Sequence, residues 1–311
     1  MDQGLRDELL KELSNATQAE NITENEPLHR RTTFRIGGPA AFFVTPGTEE
    51  ELRRILDICN RLKVKLFLIG NGSNLLALDS GFDGVVVKLG SGFSTLSIKD
   101  EINEGTGLFT AGAGAMLTQL SMFALKKGFT GLEFAHGIPG TVGGAVFMNA
   151  GAYGGEVSQT IVSVTAMRRD GTVVTYTPDE LDMGYRHSRF SDSDEIILEA
   201  SFRLKVWPRI QIRALMEGYK KARMEKQPLD MPSAGSTFKR PVGAYAGALI
   251  ESSGLKGFRI GQAAVSEKHA GFVVNLGNAT SADVLSLIDH IRKCVEEKHH
   301  ILLEPEIKLI D

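Results

Sequence analysis

The sequence predicts an α+β protein of two or three domains. Three observations point there. The chain is 311 residues long, beyond the size of one ordinary core. Helical and strand periodicities both occur, and the texture changes near residue 91 and again near Trp207-Pro208. Glycine is frequent, with 34 residues, and much of it falls in clusters, which suit close contact between backbone and ligand.

Hydrophobic residues make up 42% and charged residues 23%, ordinary values for a protein with real cores. The net charge of −3 gives no overall attraction to nucleic acid. Cys59 and Cys294 each fall on an apolar helical position. They are expected to be buried free thiols, not a disulfide or a zinc site. No apolar run reaches membrane-spanning length, and the acidic N-terminus lacks a signal-peptide pattern. The expectation is a cytoplasmic monomer with no membrane insertion, nucleic-acid partner or metal.

Residues 2–19 carry Leu5, Leu9, Leu10 and Leu13 at helical spacing among charges, an amphipathic helix. Residues 21–31 are polar. Thr32-Thr33-Phe34-Arg35-Ile36-Gly37-Gly38-Pro39 leads into a strand over 41–44. Thr48 and Glu51 form a capping box, and Leu52, Ile55, Leu56 and Cys59 continue its helix. A buried strand over 64–68 and another over 84–89 complete a small α/β unit. Short strands follow at 108–111, 161–167, 172–176 and 195–205, with Asp170-Gly171 as a hairpin turn. A helix over 117–127 ends at Gly128, a C-cap. Beyond residue 207 the pattern predicts helices over 210–224, 246–252 and 281–298. Strands are expected at 271–275 and 306–310.

Two glycine segments interrupt this pattern. Ile69-Gly70-Asn71-Gly72-Ser73-Asn74-Leu75-Leu76 follows a strand and can turn successive N–H groups into one concavity, which suits a phosphate. It matches neither GK[ST] nor GxGxxG, and by itself is as readily a tight surface turn. Residues 131–156 hold eight glycines together with Phe134, Ile138, Val142 and Phe147. A flexible linker would lack those apolar residues.

Seven stretches then carry a resemblance. They are TTFRIGG (32–38), GNGSNLL (70–76), GIPGTVGGAVFMNAGAYGGE (137–156), YRHS (185–188), PSAGSTFKRP (232–241), HAGFVVN (269–275) and LEPEIK (303–308). In this order the chain resembles the UDP-N-acetylenolpyruvoylglucosamine reductase family, the class without the inserted tyrosine loop. The resemblance implies the two-subdomain FAD-binding fold of the vanillyl-alcohol-oxidase type plus a C-terminal α+β substrate domain. After the N-terminal helix of 1–20, which the periodicity predicts, it places FAD-binding subdomains at 21–90 and 91–206. A substrate domain covers 207–302, and a strand at 303–311 returns to the first subdomain.

It also implies NADPH as co-substrate, non-covalent FAD and reduction of UDP-N-acetylglucosamine enolpyruvate. By resemblance Arg186 holds the carboxylate of the intermediate, Ser236 donates the proton and Glu306 assists. Arg35, Ile69, Gly70, Asn71, Gly72, Ser73, Asn74 and Leu75 would meet FAD, as would Gly137, Gly140, Gly143, Gly144 and Tyr153. Tyr185, Arg223, Lys226, Lys239, Arg240, His269 and Asn275 are the expected substrate contacts. By residue type alone Arg186 is also a solvated loop arginine and Ser236 a turn serine capping backbone. Glu304 competes with Glu306. An FAD oxidase of the same fold group, or a silent nucleotide-binding module, is the alternative function.

Overall fold

The computed structural model describes residues 1–99 and 105–311. In chain order the elements begin with α1 (Gln3–Ala16), β1 (Ile22–Pro27), β2 (Pro39–Val44), α2 (Glu49–Arg61), β3 (Leu66–Leu68), β4 (Leu75–Ala77) and β5 (Phe82–Val87). Then come β6 (Leu96–Lys99), β7 (Thr106–Gly112), α3 (Leu117–Lys127), β8 (Phe129–Thr130), α4 (Val142–Phe147), β9 (Gly151–Ala152) and β10 (Gly155–Glu156). They continue through β11 (Ile161–Met167), β12 (Val173–Tyr176), β13 (Ile196–Val206), α5 (Arg209–Lys226) and α6 (Ala246–Ser252). The last are β14 (Arg259–Ile260), β15 (Ala263–Val265), β16 (Val273–Asn275), α7 (Ser281–His299) and β17 (Lys308–Ile310). Among the described residues no helix is long and apolar enough to cross a membrane.

The chain forms two compact units. The first is Met1–Thr23, Phe42–Gly70 and Gly84–Lys221; the second is Glu24–Ala41, Asn71–Asp83 and Ala222–Asp311. In the first, α1 packs on α2. Leu9 and Leu13 of α1 are fully buried, each contributing about 1.5–3 kcal/mol. The Thr48–Glu51 box is present in both directions: Glu51 N–H donates to Thr48 Oγ1, and Thr48 N–H to the Glu51 carboxylate. The main sheet of this unit has the order β12-β11-β13-β7-β6, with β8 also on β13. All its pairings are antiparallel. Its core joins Phe109, Phe129, Phe190 and Phe202 to Val142 and Val146 of α4. Thus the glycine-rich stretch contains a short helix anchored in the core.

In the second unit β14, β15 and β16 form an antiparallel sheet, and β17 pairs with β4 in parallel. Val284, Leu287, Ile288, Ile291 and Val295 of α7 pack there with Phe34, Ile36, Leu76, Leu303 and Ile307.

Three expectations need correction. Residues 22–27 are a strand, polar because β1 is an edge strand with its middle exposed. β3 is half-buried, not buried. Both thiols are free, but only Cys59 is buried, and burial pushes it up to about 12. Cys294 is half-buried, with its sulfur 3.5 Å from His290 Nε2.

Candidate active site

In the first unit two tight turns are clamped together. Tyr185 and Arg186 form the tip of a turn closed by Gly184 N–H to His187 O at 3.1 Å and the reverse bond at 3.3 Å. Three rungs tie this turn to the end of the second glycine segment. Ser188 Oγ donates to Phe147 O at 2.8 Å, Asn149 Nδ2 to Gly184 O at 2.9 Å, and Arg186 Nη2 to Gly151 O at 3.2 Å. Asn149 is only 1% exposed, so its bonds are made away from water. Arg186 has φ 55° and Tyr153 φ 54°. A non-glycine residue held there costs about 1–3 kcal/mol, and such strain concentrates at functional sites. The Tyr153 ring stacks on Tyr219 of α5, centroids 4.5 Å apart and planes 3° from parallel. Tyr185 is exposed and lies 5.1 Å from the Arg186 guanidinium carbon.

The two glycine segments also meet inside this unit. Ile69 is buried and extends the β3 ladder through its N–H to Val87 O, 2.8 Å. A Cβ on Gly70 would lie 2.6 Å from Thr141 Oγ1, so glycine is needed for that approach. Thr141 caps α4 by accepting from Gly144 N–H at 3.2 Å. Gly143 packs on Ala113, and Gly137 and Gly144 are exposed. The N–H groups of Gly140 and Thr141 donate to no group among the described residues.

The rest of the loop lies in the second unit. Gly72 has φ 64°, and a Cβ there would fall 2.1 Å from Arg31 O. The N–H groups of Gly72 and Ser73 likewise have no acceptor among the described residues. Consecutive amides of this kind suit phosphate oxygens, so each segment, taken by itself, fits a phosphate. Asn71 is half-buried. Asn74 and Leu75 connect the loop to the C-terminal strand. Asn74 Nδ2 donates to Glu306 O at 3.1 Å, Asn74 O accepts from Lys308 N–H at 3.0 Å, and Leu75 pairs with Lys308.

Ser236 and Glu306 are brought close along the backbone. Glu306 N–H donates to Thr237 O and Lys239 N–H to Glu304 O, both at 2.8 Å, with a bridge between Phe238 and Pro305. Ser236 is exposed, and its hydroxyl makes no hydrogen bond among the described residues. It therefore does not cap backbone. Glu306 is half-buried and Glu304 exposed. Glu304 is paired with Lys239 Nζ at 2.5 Å.

Arg35 is exposed, and its side chain has no partner among the described residues. Its backbone has φ 55°. Asn275, 3% exposed, pins that backbone by donating to Phe34 O at 3.1 Å and Arg35 O at 3.5 Å. The Asn275 Oδ1 accepts from Gly277 and Ala279 N–H, so its amide is fully engaged inside the unit. The Arg240 guanidinium carbon lies 4.0 Å from the Tyr245 ring centroid. Arg223 is half-buried and Lys226 exposed in the last turn of α5. His269 is half-buried, and burial holds its pKa below the usual value. Its Nδ1 accepts from Gly271 N–H at 3.0 Å, which requires the neutral ring with its proton on Nε2.

Two family models match the chain: an FAD binding domain over residues 40–177, and the UDP-N-acetylenolpyruvoylglucosamine reductase C-terminal domain over 227–310. The UDP-N-acetylenolpyruvoylglucosamine reductase of Agathobacter rectalis is 44% identical, with 93% of this chain and 94% of that one covered. That of Caldanaerobacter subterraneus is 46% identical, with 92% of each covered. The chain belongs to the UDP-N-acetylenolpyruvoylglucosamine reductase family. The crystal structure of the Thermus caldophilus reductase matches with a TM-score of 0.78 at 37% identity, covering 92% of this chain and 97% of that one. p-Cresol methylhydroxylase matches with a TM-score of 0.50 at 16% identity over 67% of this chain and 45% of that one, a likeness of fold alone. The fold is the FAD-binding fold of the vanillyl-alcohol-oxidase type with the family's C-terminal domain, and the chain is a flavin-binding reductase.

Within that family frame, Thr33, Asn149, Ser188 and Tyr219 are residues the sequence reading did not single out. Thr33, Asn149 and Ser188 lie inside quoted motifs, but their bonds reach residues 200, 35 and 41 positions away. A single tyrosine on a helix such as α5 carries no signal for stacking.

Proposed function

We propose that the chain performs the NADPH-dependent, FAD-mediated reduction of UDP-N-acetylglucosamine enolpyruvate to UDP-N-acetylmuramate, as a cytoplasmic monomer. The observation that carries this reading is the pairing of residues 237–239 with 304–306 beside an exposed, unpartnered Ser236 hydroxyl. FAD, held non-covalently by the amides of 70–75 and 137–144, would supply to the vinyl carbon a hydride taken from NADPH. Ile69 supports that loop, and Arg35 and Tyr153 would be further contacts of the cofactor. Negative charge then develops on the carbon bearing the carboxylate. The planar Arg186 fork can hold that carboxylate by two parallel bonds, in a turn already fixed before substrate arrives. Donors fixed in advance usually supply the largest catalytic term. Ser236 gives the proton, and Glu306 stands beside it.

Tyr185 contacts the enolpyruvyl sugar, and Arg223 and Lys226 meet the diphosphate. Lys239, Arg240 and His269 line the substrate side. Asn275 acts by holding Arg35, since its own amide is engaged. The test is anaerobic stopped-flow measurement of each half-reaction. Ser236→Ala should keep its flavin and be bleached by NADPH at close to the normal rate. Reoxidation by the enolpyruvyl sugar nucleotide should slow by roughly a hundredfold or more. If the two half-reactions slow equally, Ser236 is not the proton donor. NADPH oxidation independent of the sugar nucleotide, with oxygen consumed instead, would favour the oxidase reading.

A further inference from the structure

Ser236 has no side-chain bond, so its aim is set by backbone alone. That backbone is held from three directions. From β16 and the residues before it, Asn275 N–H donates to Pro232 O at 2.9 Å and Val273 N–H to Thr237 Oγ1 at 3.0 Å, while Thr237 N–H donates to Gly271 O at 2.8 Å. From the C-terminal segment, Glu306 N–H donates to Thr237 O. The third hold is Thr33. Its Oγ1 donates to Ser233 O at 2.7 Å, and its N–H donates to Gly72 O at 3.1 Å. One residue thus joins the phosphate-type loop to the start of the Ser236 segment. Between Ser233 and Ser236 lies Gly235 at φ 77°, a residue whose backbone freedom leaves the serine loosely determined unless both ends are fixed.

We propose that Thr33 is a positioning residue whose hydroxyl sets the Ser236 segment against the loop Asn71–Leu75. The inference rests on reading Ser236 as the proton donor. A proton donor acts only within hydrogen-bond reach of the atom it serves, and a small displacement of a catalytic group lowers the rate steeply. Valine at position 33 keeps the shape and the backbone bond to Gly72, but leaves Ser233 O without its donor. Hydride transfer from NADPH makes no use of Ser236, so that half-reaction should not feel the change.

The experiment compares holoenzymes of Thr33→Val, Thr33→Ser and Ser236→Ala by stopped flow. Thr33→Val is expected to retain flavin and to be bleached by NADPH within about twofold of the normal rate. Its reoxidation by the enolpyruvyl sugar nucleotide should slow about three- to tenfold, the loss of one ordinary hydrogen bond. Thr33→Ser, which restores the hydroxyl, should recover most of that loss. Equal slowing of both half-reactions, loss of flavin, or no recovery in Thr33→Ser would overturn the proposal. Normal reoxidation in Thr33→Val alongside a slow Ser236→Ala would defeat it and leave the proton-donor reading standing. Normal reoxidation in Ser236→Ala itself would remove the proton donor, and the role of Thr33 with it.

Discussion

His269 is held neutral by burial first, and the Gly271 N–H that donates to its Nδ1 requires the same state. Its pKa in the folded chain lies below the ordinary 6.5. Between the folded value and 6.5 the unfolded chain binds more protons, so stability rises with pH across that window. The contribution is complete above about pH 6.5 and is lost as pH falls toward the folded value. His269→Gln should therefore flatten this part of the profile. Urea midpoints measured between about pH 5 and 7.5 test it. An unchanged slope would mean that other groups set the acid sensitivity. The same scale marks the limit of reading residues from sequence. Arg186, Ser236 and Glu306 are candidates that the motifs supply. The positive φ at Arg35, Tyr153 and Arg186 was not legible, because it is imposed by partners such as Asn275 and Gly151 that are distant in sequence.

Elements whose signals are local were read closely. The helix over 117–127 and its left-handed Gly128 cap stand as expected, as do the strand over 161–167 and the helix over 246–252. Some of the elements missed are made by distant pairing. β4 reads from sequence as the end of a loop, because its partner is Lys308–Ile310, more than 200 positions away. α4 was hidden by glycines, although Thr141 caps it and Val142 and Val146 anchor it. A local signal also allows a local test. Thr48 accepts from Glu51 N–H at 3.2 Å, and the Glu51 carboxylate returns to Thr48 N–H and Gly47 N–H. Thr48→Ala removes one half of the box and should cost about 1 kcal/mol. α2 buries Leu52, Ile55 and Leu56 in the first unit, so the loss should appear as a lower urea midpoint with an unchanged slope. A stability equal to that of the parent would show the cap to be redundant.

At the scale of the whole molecule the textural breaks near 91 and 207 do not follow the two compact units, because each unit is assembled from three separate stretches of chain. Contiguity in sequence says nothing about which stretches share a core. Phe34, Ile36 and Leu76 lie early in the chain, yet they are buried with Leu287, Leu303 and Ile307. The C-terminal family match begins at residue 227, which makes a chain ending at Lys226 look like a clean deletion. Its effect should be severe. Removing 227–311 strips β4 of its parallel partner and exposes those three apolar side chains. Each fully buried side chain of this size accounts for about 1.5–3 kcal/mol, a large share of a net stability of about 5–15 kcal/mol. The cut also removes Ser233, Asn275 and Glu306, which hold Thr33, Arg35 and Asn74 in the structure. A chain of residues 1–226 is therefore expected to be aggregated and free of flavin, although it keeps both glycine segments. Soluble yield and the flavin absorbance of the purified fragment decide the matter. A soluble, yellow fragment would mean that the early stretches hold their conformation without the C-terminal region.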